Sequence, residues 1–423
     1  MKISKLNINQ FRHLENLDFD FTYQSGERKG QPLEKICFIG QSASGKTSLL
    51  ELIKETISQF YDSRIVSKDE ILAPLYFEHY NVELDFEANS IAYKHKKDSI
   101  EIDNNNFNFH EGNYNGGSED VINYKNKLFY FTAGILSRQN IKLFEEETLI
   151  LIEKYKSLKE KIKDNYYFRI TFDDNVQDAL WIGLLEENIN YLQNFMQFAS
   201  ELINSGKMLD SSSQVRVENW KGKNVNPLIA FSEKFNGILE KISLEVDLVN
   251  TRNITPLNHK ITGENIPIQN TSTGTKQLLL TALLLFKLDT KDSIILIDEP
   301  ERSLYPDMQM DLMDHYQRLA PEAQFIVATH SPFIAASFEA DERFILYFDE
   351  EGKVAVRRGS SPIGDDPNDM LKNDFGVNYY NKYGEEAYQK YINLKQEVAN
   401  ENDPKRKKEL LLETVKLGDT YNF

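Results

Sequence analysis

The eight residues Gly40-Gln41-Ser42-Ala43-Ser44-Gly45-Lys46-Thr47 fit the pattern G-x-x-x-x-G-K-[ST] at every fixed position. The pattern constrains the fold because its chemistry needs a buried strand before it and a helix after it. Both flanks are legible. Ile36-Cys37-Phe38-Ile39 is an apolar run of strand length, and Leu49, Leu50, Ile53, Ile57 and Phe60 recur at helical spacing. The glycines let successive backbone N–H groups and the helix N-terminus face an anionic phosphate. Lys46 is placed to meet the β- and γ-phosphates, and the Thr47 hydroxyl to meet Mg²⁺. The candidate phosphate-binding residues are Gly40, Ser42, Ser44, Gly45, Lys46, Thr47 and Ser48, with Lys46 also a candidate catalytic residue.

A second buried strand, Ser293 to Ile297, ends in Asp298-Glu299-Pro300. Residues at the carboxyl end of a parallel strand line the crevice where α/β proteins bind ligands. Asp298 is suited to hold Mg²⁺, directly or through water. Glu299 is suited to orient and deprotonate an attacking water. The next apolar strand, Phe325 to Thr329, ends in His330, from which an imidazole can reach a γ-phosphate. Ahead of both, Ser272-Thr273-Gly274-Thr275-Lys276-Gln277 opens the apolar helix Leu278 to Leu285, a further N-terminal anion site.

Around these motifs the chain reads in order. Ile3, Leu6 and Ile8, then Leu17, Phe19 and Phe21, predict two strands about a turn at Arg12-His13. Alternation at Val82, Leu84 and Phe86, and again through Phe109, predicts an antiparallel meander attached to the nucleotide core, its polar face in water. From about Leu143 to Ile242 the chain reads as mostly helical. Leu149, Ile152, Tyr155 and Leu158 mark one helix, Leu180 through Ala199 a second, and Phe231, Phe235, Ile238 and Leu239 a third. The lysines from Lys154 to Lys163 read as a solvated helix face. Phe344 to Tyr347 and Val354 to Val356 predict a hairpin closing the core, followed by a tail of two helices, the second capped by Asp403 with Pro404 at its first position.

At 423 residues the chain is long enough for two or three folding units with a substantial core. Its net charge of −17 opposes a general nucleic-acid-coating role, which rests on clustered cations. A local basic groove is still compatible with it. The single cysteine, Cys37, reads as a core residue and points to a reducing, cytoplasmic setting. The start Met1-Lys2-Ile3-Ser4 has no signal-peptide core, and Leu278 to Phe286 is too short to span a bilayer, so no membrane partner is expected.

In this order the four motifs resemble the ABC-type ATPases of the RecF, SMC and OLD group. Gly40 to Thr47 is similar to the Walker A element, Ile294 to Glu299 to the Walker B, Ser272 to Gln277 to the ABC signature in its S-x-G-T-K form, Glu301 to Pro306 to the D-loop, and His330 to the switch histidine. Leu6 to Arg12 resembles the opening of RecF-like proteins, and Gln139 takes the place of the Q-loop residue and a further metal ligand. The resemblance implies an α/β fold, an ABC-type P-loop ATPase head with an antiparallel β-subdomain, a helical insertion and a C-terminal helical tail. The implied spans are an N-terminal ATPase lobe (1–142), the insertion (143–250), a C-terminal ATPase lobe (251–358) and the tail (359–423).

In this group two heads sandwich two ATPs. That implies a homodimer or higher assembly in which Ser272, Gly274 and Lys276 of one subunit meet the nucleotide held by Lys46 of the other. Two departures stand out. Tyr305 replaces a frequent D-loop histidine, and the signature lacks the double glycine of membrane transporters. The stretch after the last ATPase strand reads as too short for the C-terminal domain of OLD nucleases. An ATPase head of this kind resembles the stand-alone ATPase subunits of bacterial antiphage systems of the Septu, PARIS and retron-associated types, which act with a separate effector such as a nuclease. The implied function is slow hydrolysis of ATP to ADP and phosphate with Mg²⁺, serving a sensor or scaffold in phage defence. The alternatives are a RecF-like DNA-repair ATPase clamping duplex DNA, and a nucleotide-gated scaffold with little turnover.

Overall fold

The computed structural model describes residues 1–62, the strands within 64–111, and residues 127–135, 142, 146–162, 169–173, 176, 178–210, 212–250, 256–363, 367–377 and 382–421. The chain opens with β1 (Lys2–Phe11) and β2 (Leu14–Asp20), turned at Arg12-His13 with Arg12 at φ 54°. β3 (Lys35–Gly40) leads into the helix Lys46–Asp62. Six strands follow: β4 (Arg64–Ser67), β5 (Glu70–Ala73), β6 (Asn81–Ala88), β7 (Ile91–Lys96), β8 (Ser99–Ile102) and β9 (Asn105–Glu111). Further on come β10 (Lys127–Phe131) and β11 (Arg169–Phe172). β12 (Leu244–Val246), β13 (Leu257–His259) and β14 (Asn265–Ile266) form a small antiparallel sheet. β15 (Ser293–Asp298), β16 (Gln324–Ala328), β17 (Arg343–Phe348) and β18 (Val354–Arg358) complete the set.

The sheet that positions the site runs β11-β10-β15-β16-β3-β17-β18, parallel throughout except for the last pair. Strands buried on both faces must be apolar at consecutive positions, and these are. Cys37, Ile39, Phe129, Phe131, Ile295, Ile297, Phe325 and Val327 enter one core. The alternate residues Ile36, Phe38, Leu128, Tyr130, Ile294, Leu296, Ile326 and Ala328 enter a second. The first core is closed by helices, including Thr148–Ile162, Glu186–Asn204, Leu228–Leu239 and Thr273–Lys287. The second is closed by the helix Lys46–Asp62 and by β1, β2 and β6. β3 therefore lies between two full layers, with its carboxyl end free to turn into the glycine loop.

The structure differs from the sequence reading in four places. The opening strands and the meander are one eight-stranded sheet, β2-β1-β6-β7-β8-β9-β5-β4, because β6 pairs along the free edge of β1 and buries Val82, Leu84 and Phe86 beside Ile3, Leu6 and Ile8. Within it β4 and β5 form an unforeseen short pair, and β5 runs parallel to β9. The span read as helical contains β11, which extends the parallel sheet beyond β10. The periodicity from Leu180 to Ala199 belongs to two helices, Asp178–Leu184 and Glu186–Asn204, broken at Leu185. The first insertion helix also turns its face slightly, burying Leu151, Ile152 and Tyr155 while Leu149 is exposed.

The hairpin β17–β18 is present, and β17 also pairs in parallel with β3. The tail comprises Pro367–Asn373, Lys382–Asn400 and Pro404–Tyr421, the last capped by Asp403 through Lys405 N at 3.1 Å. Among the described residues no helix is long and apolar enough to cross a membrane.

Candidate functional site

The loop after β3 holds a sequence of backbone angles that few residue types adopt. Gly40 has φ +146°, Ala43 φ 65° and Gly45 φ +96°. A Cβ on Gly40 would stand 2.1 Å from the Leu346 carbonyl oxygen, and one on Gly45 2.6 Å from Leu14 Cδ2. The glycines are therefore needed for conformation and for space, since the neighbours β17 and the β1–β2 turn press on the loop. Ser44 is buried and donates to the Gln41 carbonyl at 2.8 Å, so its side chain braces the loop. Ser42 and Thr47 are exposed, and the Ser48 hydroxyl accepts from Arg12 at 3.3 Å. Arg12 also pairs with Glu51 at 2.5 Å, which ties the β1–β2 turn to the first turns of the loop's helix.

Lys46 is buried and donates to the carbonyls of Gly40 at 3.0 Å and Gln41 at 2.9 Å. Burial lowers its pKa to about 8, against the pull of Asp298, Glu299 and Glu301. β15 brings the acidic pair alongside. The Thr47 hydroxyl donates to Asp298 Oδ2 at 3.0 Å and lies 3.3 Å from Oδ1. Desolvation raises the Asp298 pKa to about 6; the Thr47 hydrogen bond opposes this, and the charges of Glu299, Glu301 and Glu51 add to it. A carboxylate held at such a cost beside a hydroxyl suits a hard cation. Among the described residues no cluster of three or more His, Cys, Asp or Glu side chains forms a cage. One hydroxyl and one carboxylate is the protein share expected for Mg²⁺, which keeps waters and takes phosphate oxygens for the rest.

Glu299 takes a left-handed backbone at φ 50°, a conformation costing a non-glycine residue about 1–2 kcal/mol. Its N–H is held by the Ala328 carbonyl of β16 at 2.9 Å, which fixes the sharp turn off the strand. The same turn positions Glu301, which the sequence reading did not single out as a site residue. Glu301 Oε1 accepts the His330 backbone N–H at 2.9 Å. Burial raises its pKa, against that hydrogen bond and one from Thr329. Glu301 thus joins the ends of β15 and β16. The signal for it was present as a third carboxylate two residues past Glu299. The His330 pKa is lowered by partial desolvation and then by the nearby Lys46 charge, with Glu299 opposing. This favours a neutral imidazole close to both groups.

Ser272 caps the helix Thr273–Lys287, its hydroxyl accepting from Thr275 N at 3.1 Å. Lys276 donates to the Gln269 carbonyl at 3.1 Å. Gly274 packs so tightly on the next loop that a Cβ would stand 2.2 Å from the Ser303 carbonyl oxygen. One turn on, Gln277 Nε2 reaches the Glu299 carbonyl at 3.5 Å. The structure therefore brings Lys46, Thr47 and Asp298 together, and joins Glu301 with His330. It sets Gly274 against the segment Ser303–Leu304, next to which Tyr305 is 75% exposed. Gln139 lies outside the described residues.

A stretch of 72 residues is 33% identical to the Septu protein PtuA of Bacillus thuringiensis, spanning 17% of this chain and 18% of that protein. The chain thus matches less than a fifth of that relative's length. An Smc head domain from Pyrococcus furiosus, solved bound to the C-terminal domain of ScpA, covers 85% of this chain and 96% of its own at 15% identity and TM-score 0.41. The SMC head domain of Thermotoga maritima covers 85% of this chain and 100% of its own at 12% identity and TM-score 0.39. Residues 35–336 match the family described as AAA domain, putative AbiEii toxin, Type IV TA system. With that match extending from β3 to beyond His330, the chain belongs to this family.

Proposed function

We propose that the chain binds ATP with Mg²⁺, hydrolyses it slowly, and uses nucleotide-dependent pairing to act as sensor or scaffold for a separate effector, such as a nuclease, in bacterial antiphage defence inside the cell. The observation that carries the ATPase reading is the convergence of Lys46, Thr47 and Asp298 at the head of the glycine loop, with Thr47 and Asp298 3.0 Å apart. Gly40, Ser42, Ser44, Gly45, Lys46, Thr47 and Ser48 form the phosphate cradle, and Thr47 with Asp298 would hold Mg²⁺. When bound there, Mg²⁺ neutralises charge on the β- and γ-phosphate oxygens. Glu299 accepts the proton of the attacking water, and neutral His330 orients the γ-phosphate. The defence role is supported by the partial similarity to a Septu protein.

The exposed Ser272 and Tyr305, on a helix start and loop locked together at Gly274, are the surface offered to a second copy. In this reading Ser272, Gly274 and Lys276 complete the partner's nucleotide site. The working units are an N-terminal ATPase lobe (1–142), a helical insertion (143–250), a C-terminal ATPase lobe (251–358) and a helical tail (359–423).

Glu299→Gln tests the assignment. Removing a general base slows turnover by roughly 10²–10⁴-fold while ATP remains bound. Native mass spectrometry of that variant should show an even-numbered assembly strengthened by Mg²⁺-ATP, and Lys46→Ala should lose ATP retention. Hydrolysis by Glu299→Gln at the parent rate would remove Glu299 as the base. An assembly indifferent to ATP would remove the sandwich.

A further inference from the structure

His330 follows β16 with an exposed side chain, and among the described residues its imidazole makes no hydrogen bond. A side chain without a partner of its own is aimed by the backbone that carries it. Two polar side chains hold that backbone, and both come from the chain that leaves β15.

The first is Glu301, whose Oε1 accepts the His330 N–H at 2.9 Å. The second is Gln309, buried on the short helix Pro306–Met310. Its Nε2 donates to the Leu304 carbonyl at 2.7 Å, and its Oε1 accepts from the Ser331 hydroxyl at 2.6 Å. The Ser331 oxygen in turn accepts from Phe333 N at 3.1 Å and Ile334 N at 3.2 Å. This relay has one sense only. The hydroxyl gives its single proton to Gln309, so the carboxamide must turn its oxygen to Ser331 and its nitrogen to Leu304.

The anchoring is therefore two-sided: Glu301 holds His330 itself, and Gln309 holds the residue after it. The segment that supplies both anchors is fixed in its own right. Glu299 N is bonded to the Ala328 carbonyl at 2.9 Å, and Arg302 donates to the Ala133 carbonyl at 2.7 Å. Gly274 closes the space behind Ser303, where a Cβ would stand 2.2 Å from the carbonyl oxygen. The sheet does not need these contacts, since the pairing of β15 with β16 ends at Asp298 and Ala328. They act on what lies beyond it.

We propose that Glu301 and Gln309 are positioning residues, which together clamp the His330 turn to the segment 301–309 and set where the imidazole stands relative to a γ-phosphate. This rests on the reading in which His330 orients that phosphate. A misplacement of about 1 Å at a reacting centre can cost roughly 10²-fold in rate. Ground-state binding of ATP belongs to the glycine loop, so the clamp should act on turnover and leave affinity in place.

Glu301→Ala removes the first anchor, and Gln309→Met removes the second at similar volume. In single-turnover assays with Mg²⁺-ATP each should slow hydrolysis at least about tenfold, with ATP affinity within roughly twofold of the parent. His330→Ala should slow hydrolysis roughly 10²-fold, as loss of one transition-state donor does. Adding Glu301→Ala to it should change little more, because the group being positioned is gone. Glu301→Gln keeps an acceptor for the His330 N–H and should restore most of the rate. Hydrogen exchange of the ligand-free chain gives a readout that does not depend on activity. Peptides covering 329–336 should exchange faster in Glu301→Ala and Gln309→Met, and like the parent in His330→Ala and Glu301→Gln. If Glu301→Ala does not fold, Gln309→Met and Ser331→Ala, which opens the same relay from its other end, carry the test.

With His330→Ala slow, parent-like hydrolysis by either anchor variant overturns the clamp and leaves the ATPase reading standing. Additive losses in the double variant, or parent-like exchange in both anchor variants, overturn it as well. Parent-like hydrolysis by His330→Ala removes the histidine from the proposed function, and the positioning role with it.

Discussion

Lys46 and Asp298 are both moved away from their charged forms by the same cause, loss of solvent at the head of the glycine loop. For Lys46 the consequence can be read in protons. With a folded-state pKa of about 8, the ligand-free chain sheds a proton that the unfolded chain keeps until its ordinary value of 10.5. Between those values the unfolded state binds more protons, so this group favours folding increasingly as pH rises through the window. Phosphate reverses the balance by stabilising the ammonium. ATP binding is therefore expected to take up no proton at this residue near pH 7 and close to one at pH 9. Calorimetry in buffers of different ionisation heat measures that uptake directly, and a flat profile from pH 7 to 9 would show that burial does not deprotonate Lys46 in the ligand-free chain or that Lys46 does not meet the phosphates. At this scale the sequence was most legible, because G-x-x-x-x-G-K-[ST] specifies its own chemistry. Glu301 was not read as a site residue, since its role depends on the His330 N–H brought to it by the next strand.

The elements that carry the site were legible where both faces of a strand are buried. β3, β15 and β16 each carry a run of apolar residues; the first two end at the candidate site residues Gly40 and Asp298, and β16 ends two residues before His330. β11 escaped because four residues between helices give too short a pattern, and its pairing with β10 is decided by the sheet edge. Arg343 escaped for a different reason. Its side chain and that of Asp374 are fully buried and form an ion pair at 2.9 Å, with Arg343 also donating to the Phe338 carbonyl at 2.7 Å. Asp374 in turn accepts from Ser360 N at 3.0 Å. This pair straps the segment after β18 onto β17, the strand that presses on Gly40, and nothing local to residue 343 announces residue 374. Arg343→Met leaves the buried Asp374 carboxylate with only the more distant, partly exposed Arg357 at 3.9 Å as ionic partner, and breaking a buried pair in this way costs up to about 3–5 kcal/mol. The expected result is a lower thermal midpoint together with new proteolytic cleavage between residues 359 and 377. Arg343→Met with Asp374→Leu should recover much of the loss, since an apolar pair leaves no charge unpaired. A double variant less stable than the single one would mean that the segment is held by other contacts.

At the scale of the whole molecule, the central sheet divides the protein into two cores; the first tail helix adds Met370 to one of them, and the last two tail helices contribute to neither. Ala387, Leu394 and Leu410 are buried, yet they stand outside both clusters, and the helices Lys382–Asn400 and Pro404–Tyr421 pack chiefly on each other. A groove between them is lined by Tyr391, Val398, Leu411 and Val415, with Leu411 48% and Val415 50% exposed. The apolar spacing of the tail was readable in the sequence. Which half of it would be covered was not, because a face that packs on its own core and one that packs on a neighbouring helix share the same periodicity. The separation has a measurable consequence. If the ATPase core folds without help from the tail's apolar surface, Leu411→Glu with Val415→Glu should behave as a pair of surface substitutions, each worth within about 0.5 kcal/mol. The thermal midpoint and ATP affinity should then match the parent. Under the effector reading, the same variant should lose association with the effector while still assembling with Mg²⁺-ATP. A fall in midpoint of several degrees, or weakened ATP binding, would show instead that these side chains brace the nucleotide core, and the tail would have to be counted as part of the ATPase.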